Sequence, residues 1–585
     1  MFRVDDVVAQ NLPAINDKPW LAKPVKAALR GLLHEQDFLD FEQKYPHLTG
    51  LDFVEQVLNM FDVSYSVRDS ERENIPADGR VVIIANHPIG SLDGLALIKM
   101  VADIRRDVKV VVNSLLMNIQ PLSPMLLPVN NMGGKTPKEN LQAIHQHLAQ
   151  DSAIIVFPAG EVSRIRPAGV RDTKWHSGFF KFAQAAKAPI VPVYIKAKNS
   201  AAFYGVSMMY KPASTLLLVS EMFKQQQKDI PMRIGQQIPF DSYNSMQLDI
   251  KTQTKLLKKH LYRLKTNKAA IFQTQSAIAP VEDRKTLKKA IKQCEYLGET
   301  QDGKAIYLHR AVENDPIMRE IGVLREIAFR MVGEGSNLRR DIDKYDNHYL
   351  HLILWDNDEL EVVGAYRLAD TQAVLNQHGR DGLYTHTLFE LTEQMSPYLS
   401  QGLELGRSFV QPKYWGKRSL DYLWYGIGAF LQKYPHYRYL FGPVTISNAL
   451  PQSAKELLVY FYQLYLGTDR DIAPSRSPFT LNQSAMEQLK AQFVGNDYKA
   501  DFTKLKHLLA NMGASVPTLY KQYSELTEAG GVKFIDFGVD KDFNDCIDGL
   551  VLLDITQLKP KKKQRYLGAN KVGKDVDDTI LTTML

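Results

Sequence analysis

The string NHPIGSLDG at Asn86–Gly94 puts an imidazole, His87, and a carboxylate, Asp93, on either side of a turn carrying proline and glycine. An imidazole titrates near neutrality and serves as a base when a carboxylate holds its other nitrogen. Neither residue is a nucleophile in this arrangement. The pair suits removing a proton from a hydroxyl or amine as that group attacks a carbonyl. A second string, PAGEVSR, sets Gly160 beside Glu161 and Arg164. A guanidinium there can hold an anionic group in two-pronged fashion, while the glutamate orients it or accepts a hydrogen bond. Further on, RRDIDKYD at 339–346 gathers Asp341, Asp343 and Asp346. Carboxylates beside an amine can bind it as an ammonium or take its proton. A solvated acidic turn is the plain alternative.

These residues need elements to position them. The apolar runs VVIIA (81–85), AIIVF (153–157) and PIVPVYI (189–195) read as strands, each delivering polar or turn residues at one end. Helical patterns alternate with them, as expected of an α/β domain with a parallel or mixed sheet. Thr136-Pro137-Lys138-Glu139 predicts a helix start with threonine as the cap and proline as the first helical residue. Further along, LHLILWD (350–356) and LEVVGAYRL (360–368) predict a strand pair turned by NDEL, and LELGRSFV (403–410) another strand. On that strand Glu404 and Arg407 point to opposite faces unless a bulge intervenes. QPKYWGKRS then leads into a helix, and FIDFGVDKDFNDCIDG belongs to a closing sheet in which Asp545 and Asp548 read as structural.

A chain of 585 residues exceeds one ordinary core. Four stretches are expected: a helical segment at 1–50 suited to packing or a membrane surface, an α/β domain at 51–247, a basic helical linker at 248–284, and a second domain at 285–585. Two cysteines exclude a disulfide framework, and no Cys/His spacing suits structural zinc. The start, MFRVDDVVAQ, lacks the apolar core of a secretory signal, and no apolar run of about 18 residues predicts a spanning helix. The expected location is cytoplasmic, peripheral on the inner face of the membrane. The net charge of +7 is modest, and KPKKKQR at 559–565 stands outside any nucleic-acid-binding motif, so no nucleic acid is expected as a partner.

NHPIGSLDG, FPAGEVSR and APIVPVYI, in that order, resemble the signature blocks of glycerolipid acyltransferases of the lysophosphatidate type. The resemblance implies His87 as the base, Asp93 as its partner, and Gly160, Glu161 and Arg164 in acceptor binding. Two departures, five residues between His87 and Asp93 and the glutamate after the glycine, look more like a branch that makes amino-acid-containing lipids. The later blocks, from GVLREIAFRMVGEG to FIDFGVDKDFNDCIDG, resemble GNAT-fold N-acyltransferases that acylate ornithine. That likeness implies catalytic roles for Glu404 and Arg407 and an amine pocket formed by Asp341, Asp343 and Asp346. It also makes Gly416, Lys417 and Arg418 candidates for holding a phosphopantetheine arm.

Together the two likenesses resemble bifunctional ornithine-lipid synthases. They imply N-acylation of ornithine with a 3-hydroxyacyl group in the second domain, then O-acylation of the lyso-ornithine lipid in the first. The implied partners are acyl carrier protein or acyl-CoA as donor and a membrane surface. Neither step needs a metal or redox cofactor. Alternatives are the same steps on glycine or another amino acid, a lysophosphatidate acyltransferase with a non-catalytic C-terminal module, and a membrane-surface scaffold without catalysis.

Overall fold

A computed structural model describes residues 4–5, 19–130, 136–167, 169–209, 211–266, 268–416, 418–481 and 483–568. The chain forms two compact units, Met1–Ala279 and Pro280–Leu585.

In the first unit, seven strands form one sheet: β1 (Ser64–Ser66), β2 (Val81–Ala85), β3 (Val108–Asn113), β4 (Leu126–Val129), β5 (Ala153–Val156), β8 (Ile190–Ile195) and β9 (Asp229–Ile234), with β6 (Arg164–Arg166) and β7 (Gly169–Arg171) as a separate hairpin. The order is β1-β9-β8-β2-β5-β3-β4, parallel except for the β8–β9 pair. Because helices cover both faces, β2 is buried at every position and reads as an unbroken apolar run. Val81, Ile83 and Ala85 join the core on one face, and Val82 and Ile84 join the core on the other. The carboxyl ends of β2, β5 and β8 therefore all point into one set of loops, where α/β sheets place ligands.

Two expectations for this unit need correcting. The helix Lys138–Ala149 begins after Pro137, which is itself the cap residue. Thr136 instead accepts the Asn130 N–H at 3.1 Å, tying the preceding loop. The stretch expected as a linker is also part of this unit. Helix Ile250–Arg263 is amphipathic, and Leu257 and Leu261 sit fully buried in the same core as Ile190 and Tyr194. Burying those two leucines stabilises the unit by about 1.5–3 kcal/mol each, which a linker would forgo.

The second unit is an eight-stranded sheet of β10 (Glu295–Glu299), β11 (Ala305–Arg310), β12 (Leu350–Asp356), β13 (Glu361–Asp370), β14 (Gly402–Val410), β15 (Tyr439–Ile446), β16 (Val532–Asp540) and β17 (Cys546–Asp554). Its order is β10-β11-β12-β13-β14-β15-β17-β16. All neighbours are antiparallel except β14 and β15, which run parallel and pair only from Gly402↔Tyr439 to Glu404↔Phe441. That short ladder leaves a slot of strand edge between them. Helix Pro316–Met331 covers one face, and helices Ser419–Lys433 and Gln452–Leu466 cover the other. Among the described residues no helix is long and apolar enough to cross a membrane.

Candidate active sites

In the first unit the chain leaves β2 into the turn that opens helix Ser91–Ala102. Gly90 makes that turn at φ 106°, a conformation that side chains with a Cβ rarely adopt. The turn brings the first helical turn back over the strand end, so His87 Nδ1 lies 3.2 Å from Asp93 Oδ1. That is close enough for the charge to act, though off-line for a full hydrogen bond. Asp93 is fully buried and fixed by the Ile89 N–H (3.0 Å) and the Gly94 N–H (2.9 Å). Phe157, at the end of the β5 run, lies against the imidazole with ring centroids 4.3 Å apart. Burial disfavours the imidazolium, but the charges of Asp93 and Asp172 outweigh it and hold His87 above the ordinary histidine range.

The PAGEVSR loop lies beside this pair. Gly160 turns at φ 63°, and the Ser163 N–H donates to the His87 carbonyl at 2.7 Å. Glu161 accepts from the Thr173 hydroxyl (2.7 Å) and stands 3.7 Å from Arg164. Arg164 also donates to the Ser207 hydroxyl and lies over the Phe203 ring.

Sequence reasoning passed over Asp172 in this site. It is buried, accepts the His87 backbone N–H at 3.2 Å, and is held by Ser163 Oγ and by Trp175 Nε1 at 2.8 Å. The supposed linker helix supports it. Tyr262 Oη accepts the Asp172 N–H at 2.8 Å, and Lys258 donates to the carbonyls of Asp172 and Thr173. Of the string RDTKW only Trp175 is a partner; His87, Lys258 and Tyr262, which tie Asp172 to the site, lie 85–90 residues away along the chain.

In the second unit a bulge answers the question of facing. Ala365 pairs with Phe409 and Arg367 with Gly406, so Arg407 and Ser408 oppose the single residue Tyr366. Arg407 takes φ 49° and turns onto the face of Arg367: both guanidiniums lie about 5 Å from the Tyr384 ring centroid. Arg407 Nε stands 3.5 Å from Asp341 and its Nη2 3.6 Å from Asp343. Asp343 and Asp346 close a capping box on the short helix Lys344–Asn347. Asp346 is buried between Arg325 (2.8 Å) and Arg367 (3.2 Å), whose charges overcome burial and hold its carboxyl well below the usual range.

Glu404 is 1% exposed. One oxygen accepts from the Thr385 N–H (2.7 Å) and hydroxyl (2.6 Å), and the other from the Tyr349 hydroxyl. Tyr349 in turn accepts the Tyr384 N–H at 2.8 Å. Burial pushes the Glu404 carboxyl up, with those hydrogen bonds opposing. The glutamate thus fixes Tyr349, Thr385 and, through them, the ring beneath Arg407.

Asp548 is fully surrounded on β17, and the Thr445 hydroxyl donates to it at 2.7 Å. Burial and the charge of Asp540 push its carboxyl up to about 7, against the pull of Thr445 and Arg407. Glu334 is also pushed up to about 7, by burial and by Asp548. Asp540 accepts from Tyr384 Oη at 3.3 Å. Asp545 sits in the β16–β17 turn at φ 54°.

Gly416 (φ 74°) and Arg418 are exposed and precede helix Ser419–Lys433, with Arg418 as its cap residue. Backbone N–H groups at such an end suit an anion. Lys417 lies outside the described residues.

Comparison with known proteins fits two acyl-transfer centres. A family described as Acyltransferase matches residues 7–270, and the acetyltransferase (GNAT) domain matches residues 324–425. A glycine N(alpha)-acyltransferase of Bacteroides thetaiotaomicron is 30% identical over 274 residues, covering 45% of this chain and 80% of that protein. The chain belongs to this relative's acyltransferase family. The acyltransferase is also similar to a lyso-glycine lipid O-acyltransferase of the same organism, at 29% identity over 42% of this chain and 90% of that protein. An L-ornithine N(alpha)-acyltransferase of Agrobacterium fabrum is 30% identical over 19% of this chain and 39% of that protein. The acyltransferase thus has an acyltransferase domain followed by a GNAT domain.

Proposed function

We propose that the chain makes a two-tailed aminolipid in two steps. The GNAT unit joins a 3-hydroxyacyl group from a thioester to the α-amine of an amino acid. The first unit then esterifies the exposed hydroxyl of that single-chain product with a second acyl group. The observation that carries this reading is the His87–Asp93 pair at the carboxyl end of β2, in a chain that also carries a second, carboxylate-based centre on a GNAT sheet.

In the first unit His87 Nε2 takes the acceptor hydroxyl proton while the oxygen attacks the thioester carbonyl. Asp93 stabilises the imidazolium that forms, and the thiolate leaves with that proton. Gly160, Glu161 and Arg164 border the acceptor. In the second unit the slot between β14 and β15 accepts a linear, amide-bearing pantetheine arm by strand-like hydrogen bonds. Its phosphate end lies toward Gly416 and Arg418. The donor is acyl carrier protein or CoA.

Asp548, ionised above about pH 7 and near Arg407, takes the ammonium proton so that the neutral amine attacks the thioester carbonyl; the C–S bond then breaks and the thiolate leaves with the amine's second proton. Arg407 holds the amino acid carboxylate, and Asp341 and Asp343 hold Arg407. Asp346 and Glu404 act as positioning residues, because arginines or hydroxyl and amide donors occupy their oxygens.

The acceptor in this reading is ornithine. Asp540, Asp548 and Glu334 supply carboxyls beyond those paired with arginine, and a side-chain ammonium would find its charge among them. Glycine is the second reading, favoured by the glycine-acylating relatives and their longer alignments. Acting on a lipid implies work at the cytoplasmic membrane surface.

The test is lipid mass spectrometry of an expression host that lacks aminolipids, supplied with labelled ornithine or labelled glycine. Ornithine lipid in the wild type and its lyso form in His87→Ala would support both steps and their order. Label from glycine alone would replace the acceptor. No aminolipid under confirmed expression would overturn the reading in favour of phosphatidic acid synthesis.

A further inference from the structure

Where β8 ends, the first unit holds a cavity of about 800 Å³. Four lysines line it: Lys196, Lys198, Lys224 and Lys228. Among the described residues, only Lys224 has a carboxylate partner, Glu221 at 2.7 Å. The one carboxylate in the lining, Asp229, already accepts from the hydroxyls of Ser64 and Ser66. The cavity is therefore electropositive, and an anion entering it meets no carboxylate without a partner.

Asn199 also lines the cavity and is only 4% exposed. Its side-chain Nδ2 and Oδ1 both lack a hydrogen-bond partner among the described residues. A buried amide left unpaired is costly, so a ligand that supplies both an acceptor and a donor would recover that cost. Apolar surface from Ile165, Val170 and Met208 completes the lining, and Ile165 and Met208 are 46% and 72% exposed. The cavity thus asks for a carboxylate or phosphate, an adjacent group that both donates and accepts, and an apolar chain. It opens where β8 ends, and there the Ile195 carbonyl accepts from the side chain of Asn86, the residue before His87, at 2.9 Å. Tyr204, in the same lining, accepts the Asn199 backbone N–H at 3.1 Å and feels the charges of Asp93 and Arg164.

Building on the reading above, we infer that this cavity holds the charged end of the single-chain acceptor, an N-acylated amino acid: the lysines take its carboxylate and Asn199 pairs with its secondary amide. A secondary amide carries one N–H and one C=O, which match the Oδ1 and Nδ2 of Asn199. Lysophosphatidate offers charge and a tail but no amide. Asn199 is then a specificity residue, and the lysines supply attraction common to both kinds of acceptor.

The test is binding to the full chain, measured by calorimetry below the probes' micelle concentrations. The probes are N-palmitoylglycine, palmitate and lysophosphatidate, and the proteins are wild type, Asn199→Leu and Lys198→Glu/Lys228→Glu. Leucine replaces the amide at nearly equal volume, and the two lysines are exposed, so melting curves should confirm that both variants fold. N-Palmitoylglycine should bind the wild type, and Asn199→Leu should weaken it about 10-fold. Palmitate binding should not change with Asn199→Leu, whereas Lys198→Glu/Lys228→Glu should weaken all three probes.

Equal N-palmitoylglycine affinity in the wild type and Asn199→Leu would overturn the inference. Lysophosphatidate binding that drops with Asn199→Leu as far as N-palmitoylglycine binding does would also overturn it. If the wild type binds N-palmitoylglycine with this dependence on Asn199 but transfers no acyl group to a hydroxylated analogue, the cavity assignment stands and the O-acylation step fails. If transfer occurs and its KM ignores Asn199→Leu, the step stands and the cavity assignment fails.

Discussion

The two candidate centres balance charge in opposite ways. Around His87 the carboxylates are held by backbone N–H groups and neutral side chains: Asp93 by Ile89 and Gly94, Asp172 by Ser163 and Trp175. Their negative charge stays available to an imidazolium, and His87 titrates high. Around Arg407 the carboxylates Asp341, Asp343 and Asp346 already face arginines, and the unpaired acidity sits on Asp548, pushed up to about 7. In the proposed mechanism one centre is a neutral base that becomes charged when it accepts a proton. The other is a carboxylate that becomes neutral when it does so. The first suits a hydroxyl acceptor, which brings no charge, and the second suits an ammonium, whose proton must leave before attack.

The sharpest break of that contrast is His87→Ala. Removing a general base costs about 10²–10⁴-fold, so O-acylation should fall by that factor while N-acylation persists. Rates with a lyso acceptor and with a free amino acid, measured separately on one preparation, check this. Parallel loss of both would mean that the centres are not independent.

Asp548→Asn is expected to come next in size. A neutral amide cannot take the ammonium proton, so N-acylation should fall and lose its rise through about pH 7. Stability should move the other way. A carboxyl raised in the folded state contributes stability at low pH that is lost as pH rises through about 7. Asparagine, uncharged throughout, should therefore raise Tm relative to wild type at pH 8, by less at pH 5, and do little below about pH 4. Unchanged N-acylation would return Asp548 to a structural part.

Asp93→Asn sharpens the other side. His87 lies above its ordinary value because of Asp93 and Asp172, so its basic form accumulates only at higher pH. Without the Asp93 charge the O-acylation profile should shift to lower pH, with a reduced plateau. The sign for stability is the same as for Asp548: the folded state favours the protonated imidazole, so this contribution is present at low pH and lost as pH rises through the His87 titration. A profile that does not move would remove Asp93 from the pair.

The two centres also differ in how far they could be read from sequence. His87 and Asp93 lie within one turn and the start of one helix, so their meeting is a local matter of Gly90 and helix geometry. The strands behind them were visible as apolar runs because a sheet covered on both faces writes itself as unbroken hydrophobicity. Arg407 was different. Its facing depends on an inserted residue whose left-handed backbone carries no sequence mark, since φ 49° here falls on an arginine rather than a glycine. Asp548 read as structural because its neighbours Thr445, Glu334 and Arg407 come from three distant segments. Helix Ile250–Arg263 read as a linker because its lysines masked the stripe of Leu257 and Leu261.

The smallest expected effect separates backbone from side chain at the donor end of the second centre. Gly416 takes φ 74°, and a Cβ added there meets nothing within 4 Å, so a substitution suffers from backbone strain alone. Forcing alanine into that region costs about 1–2 kcal/mol, which the exposed loop can relieve by turning its N–H groups away from an anion. Gly416→Ala should therefore raise KM for the acyl thioester about 3–10-fold with kcat little changed, if that strain is lost from binding. Asparagine tolerates the left-handed region better, so Gly416→Asn should recover most of the loss. O-acylation should not respond to either variant. An equal effect of alanine and asparagine would mean that the loop contributes by its bare surface rather than by its backbone conformation, and the anion seat before helix Ser419–Lys433 would have to be moved.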